Sequence, residues 1–410
     1  MLLGVPAGVL AHPLTETGGL PVSPVFVATL AIVASVGLAM YWPARSVAAE
    51  GKGLRAIDSW EGELSTGQVA SRVLAFALLV LAVVAGRLGD EHELRNIAPA
   101  LIVGAAWPGL ILLSATLGPV WRWLDPWDSA ARALGGGGEA EGAGDESDRA
   151  SPGVLPAVVP ATLWVWYLGV YATPLHPRSV GLALAVYALG TVGACLALGR
   201  VRWLSRVEVF GLFFGWLARL PRGRLGSWSP PRGTEVVLGV LAGGLLFGAI
   251  RKTDLWGGLN AVPGATLWAT LGVLGTCLLF AGVLWGLARA ASEAAPGSVA
   301  RAAIPLVGAI AVAIGMARSR LFTSITLLPS LASDPFGLGW DLFGTAETLP
   351  DPPLLETRLA LVQLAVLVAG LLAGTFLLAR LQPRARTWGA VALTVLMAGG
   401  TLAVMLAPGV

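Results

Sequence analysis

The sequence predicts an all-α, polytopic membrane bundle of about ten spans, and three observations predict it. Charged residues make up 12% of the 410 residues, about half the usual share for a soluble globular chain. Hydrophobic residues make up 56%, and the mean hydropathy is +0.76. The charges are also spaced so that uncharged runs of roughly twenty residues recur, the length needed to cross a bilayer as a helix. A soluble enzyme of this length would lack the charge to cover its surface. A disordered chain and a nucleic-acid binder are excluded by the same arithmetic, since the net charge is only +3.

The uncharged runs place the spans in order: 21–42, 68–87, 96–121, 150–177, 179–199, 236–250, 265–288, 302–317, 359–379 and 387–407. Arg72 and Arg87 fall near the ends of the second span, where long side chains can snorkel outward. Pro99 and Pro108 in the third span and Pro305 in the eighth are candidate kinks. The apolar piece 207–219 is too short to cross. With arginines on both sides it reads as an interfacial or re-entrant helix. Glycines four residues apart (239/243, 244/248, 282/286, 370/374) fit close helix packing.

Orientation follows from the basic residues. With the N-terminus outside, 19 of the 27 lysines and arginines fall on the cytoplasmic side, a positive-inside bias. Both termini are then extracytoplasmic, and the location is a bacterial plasma membrane. Residues 1–11 are apolar and end in small residues, as a remnant leader would, but have no basic start. The chain divides into a three-helix segment 1–134, a Gly-rich acidic cytoplasmic linker 135–154 and a seven-helix segment 155–410, expected to form one membrane domain. An outer loop over 318–356 carries Ser333 to Thr345, rich in turn residues and aromatics; it reads as a surface cap or as a substrate lid.

Chemistry is thinly marked. Cys195 and Cys277 lie in apolar runs and suggest neither a disulfide framework nor a thiolate site. No GxSxG, HExxH, P-loop or CxxC pattern occurs. The middle of each span lacks ionisable residues, which argues against proton-coupled pumping. The three histidines, His12, His92 and His176, all fall on the outer side; with Asp90, Glu91 and Glu93 nearby they are the candidate ligands for copper or zinc. Asp125 is expected to pair with Arg122 or with an arginine near the short helix. Glu208 is expected to be neutralised by surrounding arginines, and the tryptophans at 121 and 123 to form an interface belt.

Several segments, Arg95 to Trp127, Val207 to Leu220, Ser333 to Thr345 and the initial Ala11 to Leu14, resemble multi-pass bacterial membrane proteins labelled fenitrothion hydrolase. The resemblance implies hydrolysis of an organophosphate triester and histidines around the eighth span. Ala302 to Ala317 holds no histidine, so no catalytic residue carries over. The sequence therefore favours a permease-like or scaffolding membrane subunit for a small or apolar ligand. Beside the lipid bilayer, its expected partners are a membrane protein or a second copy of itself, and no nucleic acid. A membrane-bound hydrolase or metal-handling protein is the alternative.

Overall fold

The computed structural model describes residues 64–136, 153–251, 253–260, 262–291, 295–316, 320–346, 356–379 and 383–406. The expected first span, His12 and most of the linker lie outside the described residues. Among the described residues all regular structure is helical. In chain order the helices are α1 (Thr66–Leu88), α2 (Ile97–Leu117), α3 (Trp121–Leu124), α4 (Pro126–Ala133), α5 (Leu155–Gly169), α6 (Pro177–Leu198), α7 (Arg200–Arg206), α8 (Val209–Leu217), α9 (Thr234–Ile250), α10 (Asp254–Asn260), α11 (Ala265–Ala291), α12 (Ser298–Gly315), α13 (Arg320–Ser333), α14 (Glu356–Ala379) and α15 (Pro383–Leu406).

Six of these, α1, α2, α6, α11, α12 and most of α14, are long and apolar enough to cross a membrane. The chain is a helical membrane protein. Its outer helices turn large apolar side chains outward, as Leu189 at 76% and Leu278 at 73% exposure illustrate. Water would oppose that arrangement and lipid accepts it. The two apolar helices that fall short, α5 and α9, are expected spans with fewer residues. Each is seated against other helices: α9 is buried on nearly every face and packs on α5, α11, α12 and α15.

The core is organised around α9 and α12. Close approach there is set by small residues. A Cβ on Gly239 would lie 2.5 Å from Ala281 in α11, and one on Gly370 2.5 Å from Ala309 in α12. Gly282 and Gly286 meet no neighbour among the described residues.

Helix α2 is irregular. Residues Ala100–Ala106 form a π-helical turn, closed by the bond from Trp107 N–H to the Ile102 carbonyl. Pro108 lacks the N–H that a regular ladder would use, so the wider turn sits where the ladder is already broken. Opposite this turn the chain breaks again. Gly315, at the end of α12, lies against Pro108, while Ser324 in α13 lies against Gly104. Helix α13 thus continues the course of α12 along α2, after an interruption.

This corrects the reading of 318–356 as a loop. Its first part, Arg320–Ser333, is a helix whose buried stripe of Leu321, Ser324, Leu327 and Leu331 packs on the π turn. Locating spans from charge gaps missed it because Arg318 and Arg320 end the apolar run just before it.

Of the two readings of 207–219, the interfacial one is corrected and the re-entrant one is not contradicted. Seven of the nine α8 residues are buried, and the helix packs on α2, α5 and α12 inside the protein. The helix is short but carries both of its caps. Glu208 accepts from Phe210 and Gly211 N–H, and Arg219 donates to the Gly215 carbonyl at 2.7 Å while lying over the Trp228 ring.

Candidate functional site

The bundle has two chemically distinct ends. At one, the loop 89–96 between α1 and α2 meets the loop 170–176 between α5 and α6. Glu91 lies 2.6 Å from Arg178 and 3.6 Å from His176 Nε2. His92 is in the same loop, and its Nδ1 accepts from Leu94 N–H at 3.2 Å. The structure thus brings the loops of His92 and His176 to one end, which we call the histidine end. Among the described residues no three His, Cys, Asp or Glu side chains gather as a metal site would require, and His12 lies outside them.

Below this end, beside the π turn, is a cavity of about 80 Å³. Its wall is made by Val103 and Trp107 of α2, Val165 and Gly169 of α5, Gly244 and Gly248 of α9, Ala311 and Gly315 of α12, and Pro174 and Leu175 of the loop leading to His176. Arg320, the first residue of α13, is the only charged lining residue among the described residues. The position is where three irregularities coincide: a π turn, a helix interruption and glycine faces on two neighbouring helices. Backbone irregularity at membrane depth is tolerated where it is buried in protein or lines a cavity. Paired broken helices are a common way to build a ligand site in such proteins. The volume is about half that of a benzene-sized engineered pocket. Arg251, at the end of α9, closes the neighbouring corner by donating to the Gly169 and Val170 carbonyls at 2.9 and 2.8 Å.

From Trp107 in the cavity wall, aromatic rings lead toward the opposite end. Trp107 packs edge-on against Trp164 and Phe210, with centroids 5.3 and 5.5 Å apart. Phe210 in turn meets Tyr187 edge-on at 5.3 Å. Trp121 joins this cluster through a tilted contact with Phe214 at 5.1 Å and is half-buried, whereas Trp123 is exposed as an interface belt would have it.

The opposite, arginine end holds a buried charge network. Arg72 is 3% exposed and turns inward, donating to the Arg122 carbonyl and pairing with Asp128. Asp128, itself buried, also takes Arg200 and, at 2.9 Å, Arg132. The outward snorkelling expected of Arg72 is therefore wrong. An ion pair deep in its second turn is available because α4 carries Asp128 against α1.

Asp125 does not pair with an arginine as expected. It caps α4, its Oδ1 accepting from Trp127 and Asp128 N–H at 2.9 and 3.0 Å, while Oδ2 has no partner among the described residues. Burial, reinforced by the charge of Asp128, pushes its carboxyl up to about 8, the two amide donors notwithstanding. Glu208 likewise caps a helix and takes the Tyr187 hydroxyl at 2.6 Å, with no arginine in its hydrogen bonds. Burial raises its carboxyl too, against the hydrogen bonds that hold the charged form.

Sequence reasoning missed both the cavity and this network. The cavity left no charge pattern to read. The network left one, an arginine two turns inside an apolar run, that was assigned to solvent.

Comparison with protein-family models, curated proteins and solved structures finds no match to this chain.

Proposed function

We propose that this protein is a permease-like membrane subunit of a bacterial plasma membrane that holds a small, largely apolar molecule and performs no covalent chemistry. In this reading the chain has about ten spans, with both termini and the histidine end extracytoplasmic and the arginine end in the cytoplasm. The positive-inside bias of the loops supports that orientation. The observation that carries the ligand reading is the cavity at the α12–α13 interruption. It is lined mostly by apolar side chains, with Arg320 as the charged lining residue among the described residues and with Gly169, Gly244 and Gly248 in its wall. The aromatic cluster that begins at Trp107 lies between it and the charge network, so apart from Arg320 and backbone the ligand meets apolar side chains.

Xenon, a small apolar probe, tests this. The full chain in lipid nanodiscs is expected to shift the xenon-129 resonance saturably. Ala311→Phe, which projects a ring into the cavity, is expected to abolish the shift while the protein stays folded. A folded wild-type preparation with no saturable shift would overturn the reading.

One observation favours a second reading, the metal-handling or hydrolytic site toward which the family resemblance points. Glu91 and His176 are in contact, and His92 shares the loop of Glu91. With His12 added, copper or zinc would have three imidazoles. Elemental mass spectrometry decides it: stoichiometric metal that disappears in His92→Ala supports the site, and metal-free folded protein removes it.

A further inference from the structure

The segment Ser333–Thr345 at the histidine end is built in an unusual sense. The Ser333 and Thr345 hydroxyls turn inward, and its large apolar side chains turn outward. The Ser333 hydroxyl accepts from Phe343 N–H at 2.9 Å and meets the Thr345 hydroxyl at 2.9 Å. The Ser333 carbonyl accepts from Leu342 N–H at 3.1 Å. Asp334 spends its carboxylate on Leu338 and Gly339 N–H, at 2.9 and 2.7 Å, and Asp341 accepts from Ala346 N–H at 3.0 Å. The base of the segment is fixed to the neighbouring loop by Asp90 N–H on the Phe336 carbonyl and Ile97 N–H on the Pro335 carbonyl. Gly337, at φ +68°, makes the contact possible: a Cβ there would lie 2.6 Å from Asp90.

The frame presents Leu338, Trp340, Leu342 and Phe343 with 58, 44, 60 and 70% of their surfaces uncovered. A loop in water would fold these side chains in. Here the hydrogen bonds within the segment hold them outside, beside the exposed Asp341, so the exposure is built into the loop.

We propose that this loop dips into the outer boundary of the bilayer, with Trp340 at headgroup level and Leu338 and Phe343 among the upper acyl chains. Three features single out lipid as the occupant. The apolar surface continues onto Leu88 and Leu94, also exposed, at the end of membrane-crossing α1 and in the loop to which the segment is pinned. The side chains are of the types that partition to a membrane interface. Residues 335–346 contain no lysine or arginine, so binding rests on apolar burial and needs no anionic lipid. The loop thereby acts as a membrane anchor for the histidine end. This is independent of what the cavity binds.

The test uses the full chain in phosphatidylcholine vesicles with a spin label at Phe343→Cys and, separately, at Leu338→Cys. Native Cys195 and Cys277 are buried. A label at Glu93→Cys, in the exposed part of the neighbouring loop, is the aqueous reference. At 343 and 338 collisions with oxygen are expected to exceed those with a water-soluble nickel chelate several-fold, and at 93 the order is expected to reverse. If either position proves intolerant of cysteine, the other decides. Nickel accessibility equal to that at 93 would overturn the proposal and mark the loop as a lid or a protein-docking face. Shielding from both agents would overturn it as well.

Discussion

The Tyr187 hydroxyl donates to Glu208 Oε1 at 2.6 Å, and this bond ties α6 to the cap of a short helix buried inside the bundle. Glu208 has few alternatives, because its other acceptor capacity goes to the first N–H groups of α8. Tyr187→Phe leaves the ring packing on Phe210 and Trp127 in place and removes only the donor. A loss of about 1–2 kcal/mol is expected, the usual cost of an unmade buried hydrogen bond. Thermal unfolding in detergent checks it, with Tyr171→Phe, an exposed ring, expected to change little.

Asp128 and Asp125 stand three residues apart at the same buried end, yet their substitution is expected to differ sharply. Asp128→Asn removes the buried carboxylate charge shared by Arg72, Arg132 and Arg200, and breaking such a buried set costs about 3–5 kcal/mol. Asp125→Asn keeps an acceptor for the α4 cap and replaces a carboxyl that already favours its neutral form. Its cost is expected to be much smaller. Chemical unfolding of the two variants side by side checks the order, and equal losses would contradict it.

The same environment sets a pH dependence. Asp125 binds its proton more tightly in the folded chain, at about 8 against an ordinary 3.8, so across that interval the folded state holds more protons than the unfolded one. Its contribution is complete below pH 3.8 and is lost as pH rises through about 8. Glu208 shifts in the same direction. Thermal stability is therefore expected to fall between about pH 4 and pH 8 and to level off above, and Asp125→Asn is expected to flatten that decline. A stability that rises over this range would contradict the assignment.

Packing at the glycine faces gives a graded expectation. A Cβ on Gly244 would meet Val165 at 2.3 Å, whereas one on Gly248 finds its nearest neighbour at 3.7 Å. Gly248→Ala is expected to be tolerated and Gly244→Ala to destabilise, because α5 and α9 would have to separate. Yields of monodisperse protein and melting temperatures check the contrast.

How much was legible in the sequence follows from what each feature depends on. The spans α1, α2, α6, α11, α12 and α14 were readable because a helix in lipid must be apolar along its length, and charge gaps report that. Helix α13 was not, since its apolar residues form one stripe and two arginines open it. The burial of α8 was hidden for a related reason: short length and flanking arginines suggest the headgroups, but Glu208 and Arg219 cap the helix internally. Arg72 and Asp128 lie fifty-six positions apart, and only the packing of α4 on α1 joins them. The cavity lies between glycines and a π turn: the spacing of Gly244 and Gly248 was readable, but as close helix packing, and the gap beside them leaves no residue pattern of its own. Pro99 and Pro108, which bracket that turn, were the available signal.

The account rests on a sidedness: the histidine end outside, the arginine end in the cytoplasm, and the cavity beneath the outer loops. Single cysteines at Glu93 and at Arg202, both exposed and at opposite ends, measure it directly in intact cells with a membrane-impermeant thiol reagent. Labelling at 93 without permeabilisation, and at 202 only after it, is the expected result. The reverse pattern, or labelling of both from outside, would contradict the account.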